Sequence, residues 1–170
     1  HFVAKCQNLS IEDQYKAGCK MFDIRLKYNK KTRDWDFAHG CMRFKGDSYD
    51  RVLSWLNDAA VNEKIYVRMA LEYNRPIKDI DSITQLFAIT CSQLRHQYKN
   101  LIFFGFNRKY DWKECYSYEG MPYPDIYQAT SSMTWKIWDD WFPWLYAKSH
   151  NKDNLEQGTS HDWLSLDFIQ

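Results

Sequence analysis

The stretch of sequence that decides the fold is MFDIRLK at residues 21–27, a short run rich in residues that favour β-strands. Asp23 and Arg25 stand two positions apart in it, so a strand here points both side chains to the same face. Upstream, Ser10 and Asp13 have the spacing of a capping box, which predicts a helix that ends near Gly18. Charged residues at 29–34 predict a turn directly after the strand.

Strand-like and helix-like stretches alternate along the rest of the chain. The patterns predict strands at 35–39, 65–73, 101–106, 126–131 and 164–169, and helices at 47–60, 81–98 and 132–147, the last interrupted at Pro143. The many tryptophans of the last helix suit packing against a sheet and also suit a membrane interface. Such alternation predicts parallel pairing and an α/β fold.

The chain length and the strand count bound the choice of α/β fold. With 170 residues the chain fits one domain, residues 1–170, but it is short for a (β/α)₈ barrel of about 250 residues. About six strands are predicted where a barrel needs eight, and the gap lies before residue 1. We therefore expect a TIM-type barrel that is distorted or incomplete, lacking its first strand. The alternative is an open doubly wound sheet, although the chain has only 6 glycines and no glycine-rich phosphate loop.

The composition excludes several classes of protein. Lys and Arg number 23 and Asp and Glu 22, a net charge of +1, which argues against a nucleic-acid partner held by bulk charge. No apolar run approaches the 18 or so residues of a membrane span, and no leader peptide is visible. The 5 cysteines are odd in number and form no CxxC pair, so we expect neither a metal site nor a disulfide framework.

Polar residues at strand ends are the candidates for chemistry. His39, Glu72 and Arg108 end or follow predicted strands, and Asp167 lies inside the last apolar strand. If the strands are parallel neighbours, these side chains converge with Arg25 at one edge of the sheet. A guanidinium can hold phosphate oxygens in a fork, and a histidine can protonate a leaving alkoxide. The set therefore indicates phosphate chemistry.

The same residues carry a family resemblance. Residues 7–14 (QNLSIEDQ) and 16–26 (KAGCKMFDIRL), followed by the pair at 39–40 (HG), resemble bacterial-type phosphatidylinositol-specific phospholipases C. Residues 65–73 and 164–168 are similar to later strands of that family. The resemblance is dense over residues 4–74 and thin after that.

The resemblance implies a barrel enzyme that cleaves a phospholipid phosphodiester through a cyclic phosphate, with no metal and no other cofactor. His39 would protonate the leaving oxygen, and Arg25 would stabilise the charge on phosphorus in place of a metal. Asp23 would be a polar partner in the same site. Asp167 would orient the base histidine. Glu72, Arg68 and Arg108 are expected to contact the headgroup.

The base histidine is where the chain departs from the family. In the family it lies well upstream of the region that resembles residues 7–14, whereas here only residues 2–6 separate His1 from Gln7. His1 is the candidate base. If His1 does not serve, the chain is a truncated form, a piece of a split enzyme, or an inactive module that binds phospholipid or sugar phosphate. A glycerophosphodiester phosphodiesterase is the rival within enzymes. Relatives of this type are often secreted, which favours that location.

Overall fold

The computed structural model describes residues 9–39, 42–44, 48–73, 77–108, 126–129, 143–160 and 163–166. The chain divides into two compact units, Lys20–Tyr123 and a second made of His1–Cys19 with Pro124–Gln170. In chain order the elements are α1 (Ile11–Lys16), β1 (Met21–Asn29), β2 (Asp34–His39), β3 (Met42–Arg43), α2 (Tyr49–Ala59), β4 (Ile65–Leu71), α3 (Ile80–Gln97), β5 (Leu101–Arg108), β6 (Ile126–Ala129), α4 (Pro143–Gly158) and β7 (Trp163–Leu166).

The first unit is built on a five-stranded mixed sheet in the order β3-β2-β1-β4-β5. β1, β4 and β5 are parallel neighbours, with Asp23 beside Arg68 in the register. This part of the prediction is confirmed, and the mixed α/β class with it. Closure into a barrel is not seen among the described residues: β3 and β5 are the outer strands of this sheet.

The prediction that every strand runs parallel is wrong for β2. β2 pairs with β1 antiparallel, from Leu26 beside Phe37 to Asn29 beside Asp34. The reason is the length of the connection. Only residues 30–33 separate the two strands, and a parallel pair needs a crossover of about a dozen residues or more. The predicted turn is there, and Arg33 stands in it at a φ of 57°.

One face of this sheet supplies the apolar core. The β1 residues Phe22, Ile24 and Leu26 are buried, and α2 and α3 bury the residues spaced for a core face: Leu53, Leu56, Ile83, Phe87, Cys91 and Leu94. Trp35 of β2 packs against α3. Its ring lies edge-on to that of Phe87, with the ring centres 5.4 Å apart, and its Nε1 donates to Thr90 Oγ1 at 3.1 Å. The polar residues of β1 are therefore left to the opposite face.

Tyr98 joins the end of α3 to the start of α2. It is buried, and its hydroxyl donates to Asp50 Oδ1 at 2.5 Å. Burial, and secondly the hydrogen bond to Asp50, raise the pKa of Tyr98, so the phenol stays a donor. The bond therefore fixes the two helix ends against each other.

We expect Tyr98→Phe to lower the free energy of unfolding by about 1.5 kcal/mol, because a hydrogen bond to a carboxylate is lost from a buried position. Urea denaturation measures this. Tyr28→Phe is the matched control, since the Tyr28 hydroxyl makes no hydrogen bond within the described ranges, and it should change the free energy by less than about 0.5 kcal/mol. Equal losses in both variants would show that the Tyr98 hydroxyl contributes nothing.

The second unit contains α1, α4 and a parallel pair of strands, β6 and β7. The prediction for α1 is confirmed: the Ser10 side chain accepts from the Asp13 backbone N–H, and Gly18 follows the helix at a φ of 102°. The predicted helix at 132–147 is corrected in its described part, because α4 begins at Pro143, as the fixed φ of proline favours at a helix start. Residues 130–142 lie outside the described residues. No helix within the described ranges is long and apolar enough to cross a membrane.

Candidate functional site

Strand alternation and register bring four charged residues to one face of the sheet. Asp23 and Arg25 lie on the face of β1 opposite the core residues. Arg68 is the register partner of Asp23 on β4, so its side chain falls on the same face. Glu72 follows β4 directly, and its backbone N–H donates to the Leu26 carbonyl at 2.8 Å, which holds it beside Leu26 of β1.

These four side chains form a continuous line of ion pairs, which we call the ionic row. Arg68 donates to one oxygen of Asp23, Oδ1, at 2.7 Å. Arg25 reaches the other oxygen, Oδ2, with Nε at 2.8 Å and with its second terminal nitrogen at 2.7 Å. Its first terminal nitrogen lies 3.7 Å from Glu72 Oε2. Positive and negative groups therefore alternate along the row.

The two ends of the row are buried and its centre is not. The side chains of Arg68 and Glu72 have no exposed surface, whereas Arg25 is 17 % exposed and Asp23 27 %. A fully buried charge is costly unless it is paired, so the ends depend on their partners at the centre. The Asp23–Arg25 pair is thus the part of the row that a ligand could reach.

The protonation states at the centre are fixed by these contacts. Burial by itself would raise the pKa of Asp23, but the charges of Arg25 and Arg68 and their hydrogen bonds outweigh it, and the pKa lies below its usual value. Burial by itself would lower the pKa of Arg25, but Asp23 and then Glu72 reverse this and raise it. At neutral pH the site therefore presents a carboxylate and a guanidinium.

His39 ends β2, where it is half-buried and its backbone pairs with Met42 of β3. The sequence predicts that it converges with Glu72 at the carboxyl ends of parallel strands, and this prediction is wrong. Because β2 is antiparallel, its carboxyl end points back towards the start of β1, beyond the last pair that joins the two strands, Leu26 and Phe37. Its role as the acid stays a prediction.

The remaining predicted residues fall into two groups. Arg68 and Glu72, expected to contact a headgroup, make their recorded ion pairs with Asp23 and Arg25, and contact with a headgroup stays a prediction. His1 and Asp167 lie outside the described residues, and of Arg108 only the backbone is described, beside Leu71 on β5.

Two features of the region are not predicted from the sequence. One is the ion pair between Arg68 and Asp23, residues 45 positions apart, which depends on the register of β1 and β4. The other is the group of cations around the β1–β2 turn, for which the run KYNKKTR at residues 27–33 is a visible signal. Within the described ranges no group of three or more His, Cys, Asp or Glu side chains is arranged to hold a metal ion.

Comparison with known proteins adds no assignment. No family model, no curated protein and no solved structure matches the chain.

Proposed function

We propose that this chain is a phosphatidylinositol-specific phospholipase C-like enzyme that cleaves the phosphodiester bond of phosphatidylinositol or a similar phospholipid by acid–base catalysis without a metal ion. The observation that carries the proposal is the state of Arg25. Two of its guanidinium nitrogens contact one oxygen of Asp23, and a third lies near Glu72. The side chain is nevertheless partly exposed to solvent.

An arginine held in this way suits a phosphodiester for a physical reason. Charge on the phosphate oxygens grows as a nucleophile adds to phosphorus, and a donor that is already oriented stabilises that charge without reorganising. The planar guanidinium offers donors in a fork that matches two phosphate oxygens. Asp23 and Glu72 would then be positioning residues, because they hold the guanidinium rather than touch the substrate.

The proposed reaction transfers two protons. A hydroxyl of the headgroup next to the phosphate attacks phosphorus, and a base, for which His1 is the candidate, takes its proton. The bond from phosphorus to the diacylglycerol oxygen breaks, and His39 gives that oxygen a proton. The products are a cyclic phosphodiester and diacylglycerol. Asp167 would orient the base, as a carboxylate does for a catalytic histidine.

The proposal implies the TIM-type (β/α) barrel of that family as the complete fold. The parallel neighbours β1, β4 and β5, with α3 packed against β4 and β5, are the kind of unit from which such barrels are built. The antiparallel β1–β2 hairpin departs from the regular pattern.

Turnover in the presence of a chelator tests the proposal. We expect the full chain to release diacylglycerol from phosphatidylinositol vesicles in EDTA, and His39→Ala to lower kcat by about 100-fold, because general acid catalysis is lost. His96→Ala is the matched control, since His96 is exposed on α3, and it should keep full activity. Turnover that needs an added divalent metal, or that prefers soluble glycerophosphodiesters, would point to a glycerophosphodiesterase instead.

A second candidate, a phospholipid or sugar-phosphate binding module without activity, is favoured by the charge balance of the ionic row. Two carboxylates neutralise two guanidinium groups, an arrangement that also serves a purely structural purpose. Saturable binding of phosphatidylinositol vesicles with no product, unchanged in His39→Ala, would establish this candidate.

A further inference from the structure

An open groove of about 510 Å³ lies at the turn between β1 and β2. Its lining residues are Tyr28, Asn29, Lys30, Lys31, Arg43, Tyr73 and Ile77. Three of these carry a positive charge, and among the described residues none that lines it carries a negative charge. The Lys27 ammonium stands 5.3 Å from the centre of the Tyr73 ring, which adds a fourth cation at the groove. We call these residues together the basic hairpin.

Two of the four cations hold the hairpin in shape. Arg43 donates to Asp36 Oδ2 at 2.7 Å and to the carbonyls of Lys27 at 3.0 Å and Tyr28 at 2.7 Å. Lys30 pairs with Asp79 at 2.5 Å, and that hydrogen bond raises the pKa of Lys30. The Arg43 guanidinium therefore joins β2 and β3 to the end of β1, and the exposed Lys30–Asp79 pair links the turn to the start of α3.

The other two cations have no carboxylate partner among the described residues. Lys27 and Lys31 form no ion pair with a carboxylate in the part of the chain that the structure describes. The basic hairpin thus carries four cations against the two carboxylates that pair with it, although the whole chain has a net charge of only +1. Positive charge is concentrated here.

The basic hairpin continues the proposed site. Lys27 follows Asp23 and Arg25 at a spacing of two on β1, so it extends the same face by one position. Tyr73 stands directly after Glu72, and its ring centre lies 5.3 Å from the Lys27 ammonium. A lipid whose phosphodiester lies at Arg25 would therefore have its membrane neighbours beside these cations.

We propose that the basic hairpin docks the protein on a membrane surface that carries anionic phospholipids. This proposal rests on the proposed function, in which the substrate is a membrane lipid. Each Lys or Arg near such a surface strengthens binding about fivefold, and tyrosine rings favour the headgroup region. A nucleic acid fits less well, because proteins that bind one usually carry an extended basic face, whereas the hairpin offers four cations on a chain of net charge +1.

Vesicle binding by the full chain tests the docking surface. The vesicles are phosphatidylcholine alone, or phosphatidylcholine mixed with phosphatidylserine, which has no inositol headgroup and so separates docking from turnover. We expect binding only to the mixed vesicles, and a loss of that binding between about 0.1 and about 1 M salt, over which the Debye length falls from ~10 to ~3 Å. Lys27→Gln with Lys31→Gln should weaken it by about 25-fold.

Lys64→Gln with Lys99→Gln is the matched control, because both lysines are exposed at the opposite ends of their strands, before β4 and β5. This variant should bind like the parent chain. Equal binding to both kinds of vesicle, an equal loss in both double variants, tighter binding to duplex DNA than to vesicles, or full competition by millimolar inorganic phosphate would each overturn the proposal. Docking without hydrolysis would leave it standing and refute the proposed function instead.

Discussion

Asp23→Asn is expected to lower the free energy of unfolding by about 3 kcal/mol, more than a hundredfold in the folding equilibrium. Asp23 contacts both Arg25 and Arg68, at 2.7 Å each. Arg68 has no exposed surface, so the variant leaves a buried guanidinium beside a neutral amide. We place the loss at the low end of the usual 3–5 kcal/mol because Asp23 is 27 % exposed and water can reach the gap.

The pH dependence of stability reports the same interaction. Because the pKa of Asp23 is lower in the folded chain than in the unfolded chain, its stabilising effect is complete above the unfolded value of about 3.9. The effect is lost as the pH falls through the folded value. The difference in unfolding free energy between the parent chain and Asp23→Asn should therefore shrink as the pH is lowered below about 4.

Asp36→Asn is the control for this experiment. Asp36 also lies on a strand and also accepts a hydrogen bond from an arginine at 2.7 Å, but its partner Arg43 is 36 % exposed. Partly exposed pairs contribute about 1 kcal/mol or less, so urea denaturation should show a small loss here and a large one at Asp23. If Asp23→Asn and Asp36→Asn lost equal amounts of unfolding free energy, burial of the ionic row would add nothing to the strength of its ion pairs.

The sequence predicts the strands and helices of the first unit, apart from the two-residue strand β3, because they depend on local pattern. Asp23 and Arg25 share a face as a consequence of strand geometry alone, and the cap at Ser10 is a matter of three neighbouring residues. The antiparallel direction of β2 can also be predicted from the sequence, because the four residues at 30–33 are too few for a crossover connection between parallel strands.

The pairing of Arg68 with Asp23 is different in kind. It depends on which residue of β4 stands beside Asp23, and a shift of one residue would send Arg68 to the apolar face. The register of β1 and β4 is set by packing of the whole sheet against α2 and α3. No motif in the sequence around Arg68 or Asp23 therefore predicts their pairing. The placement of Asp23 and Arg25 on one face therefore follows from local sequence, whereas the contribution of Arg68 to the candidate site depends on the tertiary fold.

Arg25→Lys is expected to lower kcat on phosphatidylinositol by about 1,000-fold, provided that Arg25 stabilises the charged phosphorus centre as proposed. Lysine keeps the charge and can still pair with Asp23, but it loses the planar fork that Nε and the terminal nitrogens form. The loss should fall on kcat with little change in KM, because the interaction grows only as charge develops in the transition state.

Two measurements separate this catalytic role from a structural one. Urea denaturation should show that Arg25→Lys loses less than about 1 kcal/mol, since the ion pair with Asp23 is retained, whereas Asp23→Asn loses about three times as much. Arg95→Lys, on the exposed surface of α3, controls for the exchange of arginine for lysine and should leave kcat and KM unchanged. A stable Arg25→Lys chain that keeps more than a tenth of the parent kcat would show that the fork is not aimed at phosphorus, and the ionic row would then be a structural device that joins β1 to β4.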